Sequence, residues 1–210
     1  MTKNRLNLRK VVAMAICLTG MTIFSGCNKE EFDGPTDGPA IDNYANPQKA
    51  LLVMDMQNDA LGKNAKEPIV NSVENLIEIV NTIIDDYSTA EYIIIYIKSE
   101  YKDGAFIKGT PGAEIHPDVT IISNAKIFVK NKSDAFTNKD FDNYLIANQV
   151  NELYIVGLMA EACVYNTSVA ALNRKYVVNY IENAVGTKDL KSLEPTKEDL
   201  KRKGANIITY

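Results

Sequence analysis

From Lys49 to the C-terminus the chain alternates short, continuous apolar runs with longer amphipathic segments. No other feature limits its fold as tightly. Residues 50–54, 92–97, 125–129, 153–156, 176–181 and 206–209 read as strands, because each is short, apolar and rich in β-formers. Residues 68–87 read as a helix: Ile69, Val70, Val73, Leu76, Ile77, Val80, Ile83, Ile84 and Tyr87 recur at intervals of three and four. Pro68 suits the first turn of that helix. Shorter helices are expected at 140–148, 162–174 and 196–203. Strands that are apolar on both faces need cover on both sides. The expected fold is therefore α/β, a three-layer α/β/α arrangement around a doubly wound parallel sheet of about six strands. The first strand runs into Asp55-Met56-Gln57-Asn58-Asp59, so the glycine-rich fingerprint of a dinucleotide site is missing.

The start of the chain has a different character. Lys3, Arg5, Arg9 and Lys10 precede an apolar stretch from Val11 to Phe24, and Ser25-Gly26-Cys27 follows. A basic start, a short apolar core and small residues mark a secretory signal. The apolar stretch is shorter than the roughly 20 residues that span a bilayer. Ile23-Phe24-Ser25-Gly26-Cys27 resembles the lipobox of bacterial lipoproteins, with Phe24 at a position that usually holds leucine. That resemblance implies cleavage before Cys27 and lipidation of Cys27. Residues 1–26 are then a signal peptide, 27–47 a lipidated cysteine with a flexible tether, and 48–210 the folded domain. The tether reading rests on Lys29-Glu30-Glu31, Asp33-Gly34-Pro35 and Asp37-Gly38-Pro39, which carry charge and turn residues without apolar periodicity. The charged cluster after Cys27 resembles the surface-export signal of Bacteroidetes lipoproteins. The expected location is the bacterial cell envelope, lipid-anchored at the outer membrane or the cell surface, with the lipid as the sole membrane contact. Cys17 leaves with the signal and Cys27 carries lipid, so Cys163 is the one thiol of the mature chain and no disulfide within it is expected. Cleavage also removes four basic residues and no acidic ones, leaving a strongly acidic domain with no basic stripe for nucleic acid.

Chemistry converges on one rim. In an open parallel sheet, ligands bind beyond the carboxyl ends of the strands. Asp55 stands at that end of the first strand, Lys130 at that end of the third, and Cys163 follows the fourth. Cys163 lies on a strand-to-helix turn, where unpaired N–H groups favour thiolate over thiol. A carboxylate can take the thiol proton, and an ammonium can hold the pair. Each residue also has a plainer reading: Cys163 as a buried small hydrophobe, Asp55 as a turn cap, Lys130 as a side chain reaching solvent.

These segments resemble the isochorismatase-like cysteine hydrolases, which include nicotinamidases. Leu52-Val53-Met54-Asp55-Met56-Gln57-Asn58-Asp59 is similar to their opening strand. Lys130-Asn131-Lys132-Ser133-Asp134-Ala135-Phe136 is similar to their lysine motif. Gly157-Leu158-Met159-Ala160-Glu161-Ala162-Cys163-Val164 is similar to their nucleophile turn, and Gly109-Thr110-Pro111-Gly112-Ala113-Glu114 to a loop common among them. The resemblance implies an Asp55-Lys130-Cys163 triad, with Asp55 as general base, Cys163 as nucleophile toward a carbonyl carbon and Lys130 as support for the thiolate. It implies a cis peptide between Leu158 and Met159, and the Met159 and Cys163 N–H groups as oxyanion donors. It also implies a homo-oligomer.

The chain departs from that pattern in one respect. Nicotinamidases hold a metal through an Asp-x-His motif and further histidines, whereas this chain has a single histidine, His116, and the corresponding stretch reads Lys98-Ser99-Glu100-Tyr101-Lys102. No catalytic metal and no cofactor are expected, and nicotinamide is not the expected substrate. Glu161 stands where the family often has aspartate. Glu100 is a candidate to face the pocket and meet a substrate with N–H donors or positive charge; its plainer reading is a solvated loop carboxylate. The expected activity is hydrolysis of a small amide or related C–N bond through a thioester. The alternatives are a vinyl-ether or ester hydrolase on the same fold, and a surface lipoprotein that binds without catalysis.

Overall fold

A computed structural model describes residues 43–210. The expected signal peptide, Cys27 and most of the expected tether lie outside the described residues. Ahead of the first strand, Tyr44 packs half-buried against the core, and the Asn46 N–H donates to Gln149 Oε1 at 3.1 Å.

Six parallel strands form one sheet: β1 (Gln48–Met54), β2 (Ile93–Ser99), β3 (Lys126–Lys130), β4 (Val150–Gly157), β5 (Val177–Val185) and β6 (Asn206–Ile208). Their order across the sheet is β3-β2-β1-β4-β5-β6. The chain therefore winds outward from β1 in one direction and from β4 in the other, and the reversal between these neighbours opens a crevice at their carboxyl ends. The sheet is the one the apolar runs predicted, with cover on both faces. On one face α3 (Lys139–Ala147), α4 (Tyr165–Asn173) and α5 (Leu190–Arg202) bury Phe141, Leu145, Ala170, Ala171 and Leu200 against Leu52, Ile95 and Ile155. On the other, α2 (Val73–Thr89) buries Leu76, Ile77, Val80, Ile83 and Ile84 against Leu51, Val53 and Tyr96. Burying one such side chain is worth about 1.5–3 kcal/mol.

Two helix starts differ from expectation. Helix α2 begins at Val73 rather than Pro68, because Ser72 caps it by accepting the Asn75 N–H at 3.3 Å. The segment before it is held elsewhere: the Val70 N–H donates to the Thr187 carbonyl and Asn71 Oδ1 accepts the Thr187 N–H. Helix α5 begins at Leu190, capped by Asp189, and runs through Pro195. One short helix, α1 (Asn58–Leu61), was not legible as an apolar pattern.

Two backbone positions set the rim. Asp55, the residue after β1, sits at φ 52°, a left-handed conformation that aspartate tolerates better than most residues. Gly157 ends β4 at φ 106°, and a Cβ built there would lie 2.1 Å from the Met54 carbonyl oxygen, so only glycine lets the two strand ends run side by side.

Candidate active site

The three residues singled out from the sequence meet. Asp55, Lys130 and Cys163 are all buried, with at most 3% of any one exposed. Lys130 is the last residue of β3, so its side chain leaves the sheet at the rim. Its ammonium lies 2.9 Å from Asp55 Oδ2 and donates to Cys163 Sγ at 3.2 Å. An ammonium carries three N–H donors. The third goes to Ser99 Oγ at 2.6 Å.

Cys163 sits in a π-helical turn, Ala160–Val164, that leads directly into α4. The turn is closed by the Val164 N–H donating to the Met159 carbonyl at 3.1 Å. The peptide between Leu158 and Met159 is cis, as the resemblance implied. Glu161 fastens the turn to the loop after β5: its carboxylate accepts the Thr187 hydroxyl at 2.8 Å and the Lys188 N–H at 3.0 Å.

Thiolate is the nucleophilic form of cysteine, so chemistry through the Cys163 sulfur belongs to the reduced chain.

Burial pushes the Asp55 carboxyl above the usual carboxylate range, against the opposing pull of the Lys130 charge and the hydrogen bonds from Lys130 and Ser99. A carboxylate raised in this way is a better proton acceptor than one in water. Beside the site, burial also lifts Asp134 to about 6.

Sequence reasoning passed over Ser99 and Gln57. Ser99 is 1% exposed, and its hydroxyl donates to Asp55 Oδ1 at 3.0 Å. Gln57, fully buried, clamps the Ser99 backbone: Gln57 Nε2 donates to the Ser99 carbonyl at 2.8 Å and Gln57 Oε1 accepts the Ser99 N–H at 2.8 Å. The strand register held the signal, since Ser99 stands opposite Lys130 and Ile97 opposite Met54, the residue before Asp55.

Glu100 is not joined to the three by its side chain. Its backbone N–H donates to the Lys130 carbonyl at 2.9 Å, and its carboxylate lies 3.6 Å from Lys98 Nζ. Lys98 also meets Glu114 at 3.0 Å. The only histidine, His116, accepts the Asp118 N–H through Nδ1 at 3.3 Å. This donor set does not suit a metal: Lys98 already neutralises both nearby carboxylates, and among the described residues no three His, Cys, Asp or Glu side chains cluster to hold an ion.

Comparison with known proteins places the chain in context. A family model described as the isochorismatase domain matches residues 49–210. An isochorismatase family protein of Bacillus subtilis is 27% identical over 144 residues, covering 67% of this chain and 79% of its own. A secreted isochorismatase effector of Verticillium dahliae is 26% identical, covering 71% and 79%. A streptothricin hydrolase of Streptomyces noursei is 26% identical over 69% of this chain and 56% of its own length. Among solved structures, an isochorismatase-like hydrolase from Alkaliphilus metalliredigens superposes with a TM-score of 0.71 at 23% identity, over 78% of this chain and 94% of that one. A pyrazinamidase of Pyrococcus horikoshii in complex with zinc gives 0.71 at 24% identity, over 78% and 100%. At these identities the solved structures speak to the fold.

Proposed function

Since this chain belongs to the isochorismatase family and is a hydrolase, we propose that it cleaves a small amide or related C–N bond with Cys163 as nucleophile. The observation that carries the reading is the single ammonium of Lys130, bonded at once to the Asp55 carboxylate and the Cys163 sulfur. A buried cation in that position stabilises a thiolate and holds the base beside it. The streptothricin hydrolase among its relatives adds support for hydrolytic chemistry.

In the proposed cycle the Cys163 proton passes to Asp55 and the thiolate attacks the substrate carbonyl. The tetrahedral oxyanion is met by the Met159 and Cys163 N–H groups, donors of a kind worth about 3–4 kcal/mol each in barrier. Protonated Asp55 returns its proton to the leaving nitrogen, the C–N bond breaks, and the acyl group stays on Cys163 as a thioester. Asp55 then draws a proton from water, the hydroxide adds to the thioester carbonyl, and the acid leaves as Cys163 regains its proton. Glu100 is kept as a substrate contact only if the substrate displaces Lys98 from it.

A vinyl-ether substrate is the competing reading, favoured by the isochorismatase names of the relatives. The two separate on one comparison. Reduced wild type and Cys163→Ala are assayed for ammonia release from a panel of small primary amides, and for cleavage of isochorismate. The amide reading expects turnover of at least one amide and a loss of at least a thousandfold in Cys163→Ala. Isochorismate cleavage that persists in Cys163→Ala, with no amide turned over by wild type, overturns it. The proposal includes export and lipid attachment at Cys27; radiolabelled palmitate incorporated by wild type and lost in Cys27→Ser is the expected result, and equal labelling of both contradicts it.

A further inference from the structure

We propose that Ser99 is a positioning residue of this site, a fourth member whose hydroxyl joins the Lys130 ammonium to the Asp55 carboxylate and fixes the direction of both. The inference rests on the reading of Asp55, Lys130 and Cys163 as the reacting group of residues, and it extends that reading to a residue outside the three.

The geometry assigns every hydrogen. Lysine has donors and no acceptor, so Lys130 Nζ must donate to Ser99 Oγ, at 2.6 Å. The Ser99 hydroxyl then has its one hydrogen left to give, and Asp55 Oδ1, 3.0 Å away, is the acceptor. The second Asp55 oxygen is taken by Lys130 itself at 2.9 Å. The result is a closed three-membered circuit of ammonium, hydroxyl and carboxylate, with one ammonium N–H left over, and that one points at the Cys163 sulfur at 3.2 Å. Without the hydroxyl the ammonium has two partners for three donors and is free to turn. With it, the donor aimed at sulfur is fixed.

Ser99 is itself held rigidly, which a positioning residue requires. Both of its backbone groups are bonded to the Gln57 side chain, and Gln57 Nε2 also donates to the Ala113 carbonyl at 2.7 Å. Gln57 lies two residues beyond Asp55, so the segment that carries the base also clamps the residue that orients it. The Tyr101 hydroxyl lies 3.4 Å from Ser99 Oγ, which fills the second lone pair of the serine oxygen. The hydrogen bond from Ser99 favours the ionised form of Asp55 and so opposes the rise that burial causes.

A matched pair of substitutions tests this. Ser99→Thr keeps the hydroxyl and Ser99→Val replaces it with a methyl of nearly the same shape. Asp55 is followed in the reduced full chain by the 13C shift of its carboxyl carbon, assigned by its disappearance in Asp55→Asn. The other groups around the circuit are Lys130 from β3, Tyr101 beyond β2, Cys163 from the π turn, and Asp134, which acts on Lys130 from the turn after β3. The midpoint belongs to that cluster, and the difference between variants isolates the hydroxyl. The expected result is a midpoint raised by about one pH unit in Ser99→Val and unmoved in Ser99→Thr, from the loss of one hydrogen bond to a charged group. Equal midpoints in the two variants overturn the inference. Should Ser99→Val not fold, Ser99→Ala takes its place, with the same two outcomes. The titration needs no substrate, so it is separable from the functional reading. A raised midpoint without amide turnover keeps Ser99 and ends the amide proposal; amide turnover dependent on Cys163 with no shift does the reverse.

Discussion

Strand β1 has a lysine–carboxylate pair at each end, and the two pairs have little else in common. At its carboxyl end Asp55 meets Lys130 at 2.9 Å, with 5% and 1% of the two side chains exposed. At its amino end Lys49 meets Glu152 at 3.3 Å, with 45% and 21% exposed. The outer pair sits among tyrosines: Lys49 lies over the rings of Tyr92 and Tyr154, and Tyr154 and Asn179 both donate to Glu152. The same two charges are thus solvated at one end of the strand and stripped of water at the other. Burial raises Asp55 and wins over its partners; for Glu152 the burial effect is outweighed by hydrogen bonds from Tyr154, Asn179 and Lys49, which hold it below the usual range. A buried charge pair is a costly thing to keep unless it does something. That contrast separates the buried pair, which we propose to be reactive, from the solvated one, and substitutions at each end test it.

The largest difference is expected from removing each lysine. Lys130→Met leaves the Asp55 carboxylate buried without its cation and should cost about 3–5 kcal/mol of unfolding free energy, together with hydrolysis. Urea unfolding of the reduced chain measures the first and amide turnover the second. Losses no greater than those of Lys49→Met would mean that Lys130 is not the buried partner described.

A second contrast lies in pH. Asp55 has its folded pKa raised, so it favours the folded state at low pH, and that contribution is lost as pH climbs from about 4 through its folded value. Glu152 has its folded pKa lowered, so its contribution is present above about 4.5 and lost as pH falls. Relative to wild type, Asp55→Asn should therefore gain stability as pH rises and Glu152→Gln should lose it. Urea midpoints collected from pH 3.5 to 7 give the two slopes, and slopes of the same sign would contradict the assignment.

How far these regions could be read from the sequence follows from how each is built. The sheet was legible because burial on both faces leaves continuous runs such as Ala50-Leu51-Leu52-Val53-Met54, and the rim was legible because Asp55 and Lys130 stand where such runs end. Tyr44, a single aromatic residue ahead of the first strand, packs against the core without any periodic signal to announce it. Ser99 was not legible. A serine two residues past an apolar run has no periodic signature, and its partners are 31 and 44 residues away in the chain. Helix α2 was placed five residues early because Ile69 and Val70 continue the apolar rhythm, while Ser72 and the bonds to Thr187 decide where the helix starts.

The smallest effect is expected at the amino end. Lys49→Met should change stability by less than about 1 kcal/mol and leave hydrolysis untouched, read by urea unfolding and by amide turnover. A loss of activity there would tie the two ends of β1 together and remove the contrast.

The proposed reaction passes through a covalent acyl group on the Cys163 sulfur. Reduced protein is mixed with the best amide of the panel, quenched in acid within the first turnover, digested and mapped by mass spectrometry. An added acyl mass is expected on the peptide that carries Cys163, removed by hydroxylamine and missing from Asp55→Asn. Turnover of that amide with no adduct at Cys163 under these conditions, and at an undiminished rate in Cys163→Ala, would contradict it.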